Sequence, residues 1–285
     1  MAGWNDESAG SLPLRDDLMT LDMDILVPLR NPTAVLLDSI RSLSAQSERS
    51  FSVLISDNHS SKGSEFIEES AAILRDASIA CQVLRPAMEL GRVEHWNWLH
   101  YQSGADWLKP LFAGDWLEPV YTARVLELRK RHPECRYIYS SYHYHKKDEE
   151  KIVVPHWTGV LQDKQEMRQV VARHGMQFGP PSAACYHREL FYSQGSYNPM
   201  IPICADSHLF CQFAASAPSY GIKEALCHFN IHDNRFSTGL AEKALETRRE
   251  TICYMVMLGS QAWFQGWKVS GRHWLRRAIR ILMGT

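Results

Sequence analysis

From Met23 to Asp115, short apolar runs alternate with segments of helical spacing, and this alternation limits the fold more than any other feature of the chain. Met23 to Leu29 reads as a strand ending at Arg30-Asn31-Pro32, and Ala34 to Ala45 follows as a helix. Phe51 to Ser56 is the next strand, with Asp57-Asn58-His59-Ser60 as its turn, Glu65 to Arg75 as a helix and Ala80 to Leu84 as a short strand. Gly91 to Gln102 is a third helix, before the apolar run Trp107 to Phe112. Strands alternating with helices of roughly 10 to 15 residues imply crossover connections, and crossovers lay strands parallel with helices on their faces. The expected class is α/β: a Rossmann-like, mostly parallel sheet flanked by helices, with a helical C-terminal extension.

In such a sheet the turns at the carboxyl ends of the strands carry polar groups into a crevice. Three turns, at Arg30, Asp57 and Asp115, are expected to meet there. The stretch Gly104 to Pro119, GADWLKPLFAGDWLEP, contains the third, with Ala113-Gly114-Asp115 leaving the strand and Glu118-Pro119 opening the next helix. Asp115 reads either as a crevice residue or as the cap of that helix. No Gly-x-Gly-x-x-Gly or Walker pattern is present, so neither a dinucleotide fold nor an ATP-cradling loop is supported.

Beyond Tyr137 the pattern changes. Tyr137 to His145 alternates Tyr and His at strand spacing, either as a strand with one wet face or as an aromatic wall for a sugar acceptor. Lys146 to Lys151 reads as a charged loop and Gly175 to Ser182 as a turn-rich one. Ala205 to Ala215 is a helix with Asp206 in its first turn, and Ile222 to Ile231 a strand that delivers His232. The tail, 241–265 and 270–283, reads as helical.

A net charge of -1 removes the general electrostatic argument for nucleic acid. Seven cysteines without a CxxC pair favour buried thiols in a reducing cytoplasm over a zinc knuckle or a disulfide framework. The first 22 residues are polar and acidic, unlike a signal peptide, and no apolar run reaches the roughly 18 residues of a membrane span. In the tail, Leu275, Ala278, Ile279 and Leu282 share a stripe flanked by Arg272, Arg276, Arg277 and Arg280. That helix either packs on its own domain or touches an anionic membrane surface.

Taken in order, these segments resemble the family-2 glycosyltransferases over roughly Asp24 to Ser237. The matching patterns are Val27-Pro28-Leu29-Arg30-Asn31, then Ser56-Asp57-Asn58-His59-Ser60, then Leu90-Gly91 with Trp96-Asn97 and the run Trp107 to Pro119. They continue with Gly179-Pro180-Pro181-Ser182, Arg188-Glu189-Leu190-Phe191, Ala205-Asp206 and Phe229 to Ser237. The resemblance implies a GT-A fold with a polar leader (1–22), a nucleotide-binding half (23–119), an acceptor-binding half (120–237) and a helical extension (238–285). It also implies inverting transfer of a sugar from a nucleoside diphosphate sugar, with UDP as the expected nucleotide, to a saccharide or lipid-linked saccharide. Such transfer is typical of surface polysaccharide synthesis in the cytoplasm or at the inner membrane face.

By the same resemblance, Asp206 is the catalytic base. Pro28, Leu29, Arg30, Asp57, Asp115 and His232 are expected to contact the nucleotide sugar, with Arg92 or Arg235 as a cation for the leaving group. Arg92 reads otherwise as a solvent-facing helix residue, and Asn97 either holds the turn beside the nucleotide or bonds backbone within its helix. A divalent cation, Mn²⁺ or Mg²⁺, is implied at Asp115 and His232. The chain departs from the family pattern at Phe112 and Gly114, where the metal motif usually carries acids, and at Lys62 and Ala205. Those departures keep open a rival reading, a GT-A domain that binds nucleotide as a scaffold without turnover.

Overall fold

The structure, a computed structural model, describes residues 22–147, 149–162, 166, 178–203 and 205–231. The chain runs β1 (Met23–Leu29), α1 (Val35–Ser44), β2 (Ser52–Asp57), α2 (Ser64–Asp76), β3 (Cys81–Leu84), α3 (Arg92–Gln102) and β4 (Trp107–Pro110). It continues with β5 (Trp116–Leu117), α4 (Tyr121–Arg131), β6 (Tyr137–Lys146), β7 (Glu149–Val153), β8 (Gly159–Leu161), β9 (Ala184–His187), α5 (Arg188–Ser193), α6 (Ala205–Ser216) and β10 (Ser219–Ile231). The leader, His232, Arg235 and the C-terminal extension lie outside the described residues.

One mixed sheet of ten strands forms the centre, in the order β3-β2-β1-β4-β9-β6-β10-β5, with β7 added on β6 and β8 on β10. Strands β3, β2, β1 and β4 are parallel, as the alternation of apolar runs and helices requires. The second half is mixed, because β9 runs antiparallel to both β4 and β6.

Period-2 alternation along β1 divides the core between the two faces of the sheet. Met23, Ile25, Val27 and Leu29 pack with Leu36 and Ile40 of α1 and Val125 of α4. Leu26 belongs to the other layer, with Val93 and Leu99 of α3 and Leu209 and Phe213 of α6. Asp24, buried at the start of β1, accepts hydrogen bonds from Ser52 Oγ and from Ser103 Oγ (2.6 Å), so a carboxylate between two strands is held by hydroxyls.

Two elements differ from the sequence reading. Trp116–Leu117 is a short strand against Cys227 and His228 of β10, and α4 starts only at Tyr121, so Glu118-Pro119 precede the helix rather than open it. Much of the charged stretch after Lys146 is β7, which pairs back on β6 from Tyr142 to Lys146. Strand β10 pairs parallel with β6, and its register shifts between Ile222 and Ala225 and again between Ala225 and Cys227. Beyond the bulge, His228 lies opposite His143 and Phe229 opposite Tyr144.

The described cysteines, Cys81, Cys135, Cys185, Cys211 and Cys227, are free thiols, and burial pushes Cys185 up to about 12. His100 is enclosed: one ring nitrogen meets the Trp96 carbonyl at 2.6 Å, the other the Tyr186 hydroxyl at 2.7 Å, and the ring stacks on Phe191 at 4.5 Å. Burial lowers His100, and likewise His95, to about 4. The unfolded chain takes up these protons near the ordinary value of about 6.5, so it binds more protons than the folded chain between about pH 6.5 and 4. Stability is therefore lost as the pH drops through that window, on the order of 3 kcal/mol for each histidine, because each tenfold difference in proton affinity is worth about 1.4 kcal/mol. Urea denaturation at a series of pH values checks this, and an unfolding midpoint independent of pH over that range contradicts it.

Candidate active-site cleft

After β1 the chain leaves for β2 and β3 on one side and then returns to β4 on the other, so the order reverses beside β1. Open α/β sheets hold ligands at such a reversal, outside the carboxyl ends of the strands. A cleft of about 1070 Å³ lies there. The β1 turn contributes Leu29, Arg30 and Pro32, the segment after β4 contributes Phe112 and Ala113, and α6 contributes Asp206.

Arg92, His95 and Trp96 line the same cleft. Spacings of three and four residues put these side chains on one face of α3. The Arg92 guanidinium lies 5.0 Å from the Trp96 ring centroid and donates to the Pro202 carbonyl. Trp96 meets Phe112 edge-on at 4.8 Å. Across the cleft, Tyr142 of β6 meets Phe229 of β10 at 6.0 Å. His95 is 3% exposed, faces Ser56 Oγ at 2.7 Å and is neutral near pH 7 because burial lowers it.

Asp206 stands in the first turn of α6 and accepts the Ser207 N–H at 2.7 Å. Burial raises its carboxyl above the ordinary range, and the hydrogen bond and the charge of Arg92 work against that rise. Arg30 pairs with Glu89 at 2.5 Å on the open rim.

Of the residues singled out in the sequence, Pro28, Leu29, Arg30, Arg92 and Asp206 come together in the cleft lining. Asp57, Asn97 and Asp115 do not line it. Asp57 Oδ1 accepts the Ser60 N–H at 3.0 Å and Oδ2 faces Arg85 at 3.7 Å, so its neighbour Asn58 reaches the lining instead. Asn97 ties α3 to the segment after α5: its amide accepts from Tyr197 N–H at 3.0 Å and donates to the Tyr197 carbonyl at 2.8 Å.

Asp115 is 1% exposed, and protein groups hold both its oxygens, Ser182 Oγ donating to one at 2.6 Å and Asn230 N–H to the other at 3.1 Å. Beneath the same turn, the wholly buried Lys109 donates to the carbonyls of Pro110 at 2.9 Å and Ser182 at 2.5 Å. Asp115 is thus part of the scaffold under the turn, where the sequence reading expects a ligand-contacting carboxylate.

Hard divalent cations need several oxygen ligands. Among the described residues the cleft lining offers the carboxylates of Glu89 and Asp206 alone, and Glu89 is paired with Arg30. Gly114, at a position where the family pattern carries an acid, has φ +90° and donates its N–H to Ser39 Oγ at 2.9 Å. An aspartate is costly in that backbone region. Among the described residues these two carboxylates, Glu89 and Asp206, are what the cleft lining offers a Mn²⁺ or Mg²⁺ ion, whose other oxygen ligands would come from the diphosphate and water, and the expected ligand His232 lies outside the described residues.

Sequence reasoning missed His95, Asn58 and the aromatic pair Trp96 and Phe112 as cleft residues. The spacing of Arg92, His95 and Trp96 on α3 is the signal that points to His95 and Trp96.

No family model matches the chain, and no curated protein matches it in sequence. Among solved structures, residues 1–349 of S. aureus TarS superpose with a TM-score of 0.65 at 11% identity, covering 86% of this chain and 70% of that one. The complex of the same TarS fragment with UDP-GlcNAc gives 0.64 at 11% identity, covering 82% and 66%. The mannosyltransferase PcManGT from Pyrobaculum calidifontis, in complex with GDP-Man and Mn²⁺, gives 0.57 at 13% identity, covering 83% and 63%. At such identities the likeness shows a shared GT-A-like fold.

Proposed function

We propose that the chain is an inverting glycosyltransferase of the family-2 type, moving a sugar from a nucleoside diphosphate donor, most simply UDP-linked, to a saccharide or lipid-linked saccharide. The observation that carries this reading is a partly buried carboxylate, Asp206, in a cleft at the sheet reversal that also holds Arg30 and Arg92. Solved structures of the same fold, among them TarS and PcManGT, bind UDP-GlcNAc and GDP-Man, which supports a nucleotide-sugar donor.

Inversion needs one in-line displacement. The acceptor oxygen bonds to the anomeric carbon, the bond from that carbon to the phosphate oxygen breaks, and the acceptor proton passes to Asp206 Oδ. A carboxylate whose proton affinity is raised by burial is a stronger base than an exposed one. The diphosphate leaves with added negative charge, which Arg92 and Arg30 meet as cations. The Trp96 and Phe112 rings present flat apolar surface to a sugar face.

Asn58, 2% exposed, is fixed at the cleft lining by its amide, which donates to the Leu90 carbonyl at 2.8 Å and accepts the Leu90 N–H at 2.9 Å. A divalent cation at Asp206 and Glu89 would add to the charge that Arg92 and Arg30 supply, and no step depends on it. A nucleotide-binding scaffold is the second reading, favoured by Phe112 and Gly114 at positions where the family carries acids.

Thermal denaturation with UDP, GDP and their sugar conjugates tests the donor class. A true donor nucleotide at about 100 times its Kd is expected to add about 2.7 kcal/mol of stability. No shift with any nucleoside diphosphate overturns both readings, and binding without transfer or hydrolysis of any donor selects the scaffold.

A further inference from the structure

Strands β6 and β10 carry two different surfaces, because successive side chains of a strand point to opposite faces. Tyr142 and Phe229 turn toward the cleft. His143, His145 and His228 occupy the alternate positions and meet on the other face, with Trp116 and Glu118 from β5 and the segment after it. The His143 and His228 rings stack at 4.3 Å, and His145 lies 5.2 Å from His228. This surface opens into a second hollow of about 460 Å³, lined by Glu118 and His228 together with Asp38 and Arg41 of α1. Arg41 is neutralised there by Asp38 at 3.4 Å and Glu69 at 3.6 Å, so it adds little net positive charge.

We propose that His143, His228 and Glu118 form a binding site for a divalent transition-metal ion of zinc type, separate from the sugar-transfer cleft. One nitrogen of each imidazole and one carboxylate oxygen lie within 4.8 Å of one another. Tetrahedral coordination at ligand distances near 2.0 to 2.1 Å wants these atoms about 3.4 Å apart, a closure that side-chain rotation of half-buried residues supplies. Two imidazoles with one carboxylate select Zn²⁺ over Mg²⁺ or Ca²⁺, which demand oxygen cages.

The surrounding hydrogen bonds suit this role. His228 Nε2 faces Glu118 Oε1 at 2.7 Å, and its Nδ1 faces His145 Nε2 at 2.9 Å. A metal on Nε2 leaves Nδ1–H as the donor to His145, and His145 in turn places its Nδ1 3.8 Å from Glu150. Ligating histidines are oriented by this kind of outer partner. His145 is therefore a positioning residue, and the ion would clip β5, β6 and β10 together.

Full-length protein stripped by chelator and titrated with ZnCl₂ by calorimetry is expected to bind one equivalent. With Co²⁺ as the probe, visible d–d absorption should appear. His143→Gln and His228→Gln abolish the high-affinity binding, and His145→Ala weakens it about 10- to 100-fold, whereas Asp206→Asn in the cleft leaves it unchanged. Zinc-edge X-ray absorption of the unmutated protein is expected to show nitrogen and oxygen ligands without sulfur, which keeps the test decisive if a variant fails to fold. No binding, binding retained in both glutamine variants, or thiolate ligands from the chain's seven cysteines overturns the site.

Discussion

Replacing Asp206 with asparagine is expected to lower sugar transfer about 10²- to 10⁴-fold while leaving nucleoside diphosphate affinity within about threefold. The amide keeps the shape of the carboxylate and its oxygen still accepts the Ser207 N–H, so the first turn of α6 is preserved. What is lost is the ability to take the acceptor's proton. The pH profile of sugar transfer by the unmutated protein should agree, since a base must be ionised to act. Burial raises Asp206, so the acid limb of kcat/KM falls above the ordinary aspartate range, and activity declines as the pH drops through that limb. Steady-state kinetics with the donor found by thermal shift would check both points. Should Asp206→Asn retain more than about a tenth of full activity, the carboxylate has no part in the chemistry.

Gly63→Ala is expected to destabilise the fold by about 2 to 4 kcal/mol. Gly63 precedes α2 at φ +85°, and a Cβ there would stand 2.2 Å from the carbonyl oxygen of Pro32. Either the helix start or the β1 turn has to move. That turn is also laced to the β2 turn, Asn31 N–H donating to Ser60 Oγ at 2.7 Å and Ser61 N–H to Asn31 Oδ1 at 2.9 Å. Because Arg30 lies in the same turn, nucleotide binding should weaken along with stability. Chemical denaturation measures the first effect, and a change under about 0.5 kcal/mol would show that the contact relaxes without cost.

The parallel half of the sheet was legible because each strand is a contiguous apolar run and each crossover helix has its own periodicity. Strand β7 was not: Glu149, Glu150 and Lys151 read as loop, and their strand character comes from pairing with β6. Trp116–Leu117 is too short to announce itself and is defined by Cys227 and His228, more than a hundred positions later. That Arg30, Arg92 and Asp206 share one cleft follows from where the pattern puts them, at an element's end or on a helix face. The hydrogen bonds to Asp115 were not legible, because its partners, Ser182 and Asn230, are remote in sequence and nothing local reveals them. The meeting of His143 with His228 depends likewise on strand register.

The irregular register of β10 between Ile222 and Cys227 sets the phase of everything after it. Losing a single residue from that kink would exchange the roles of positions 228 and 229, sending an imidazole to the cleft side and a phenyl ring to the histidine cluster behind it. Point changes can therefore tune either surface on its own, whereas a deletion in this strand rewrites both in one stroke.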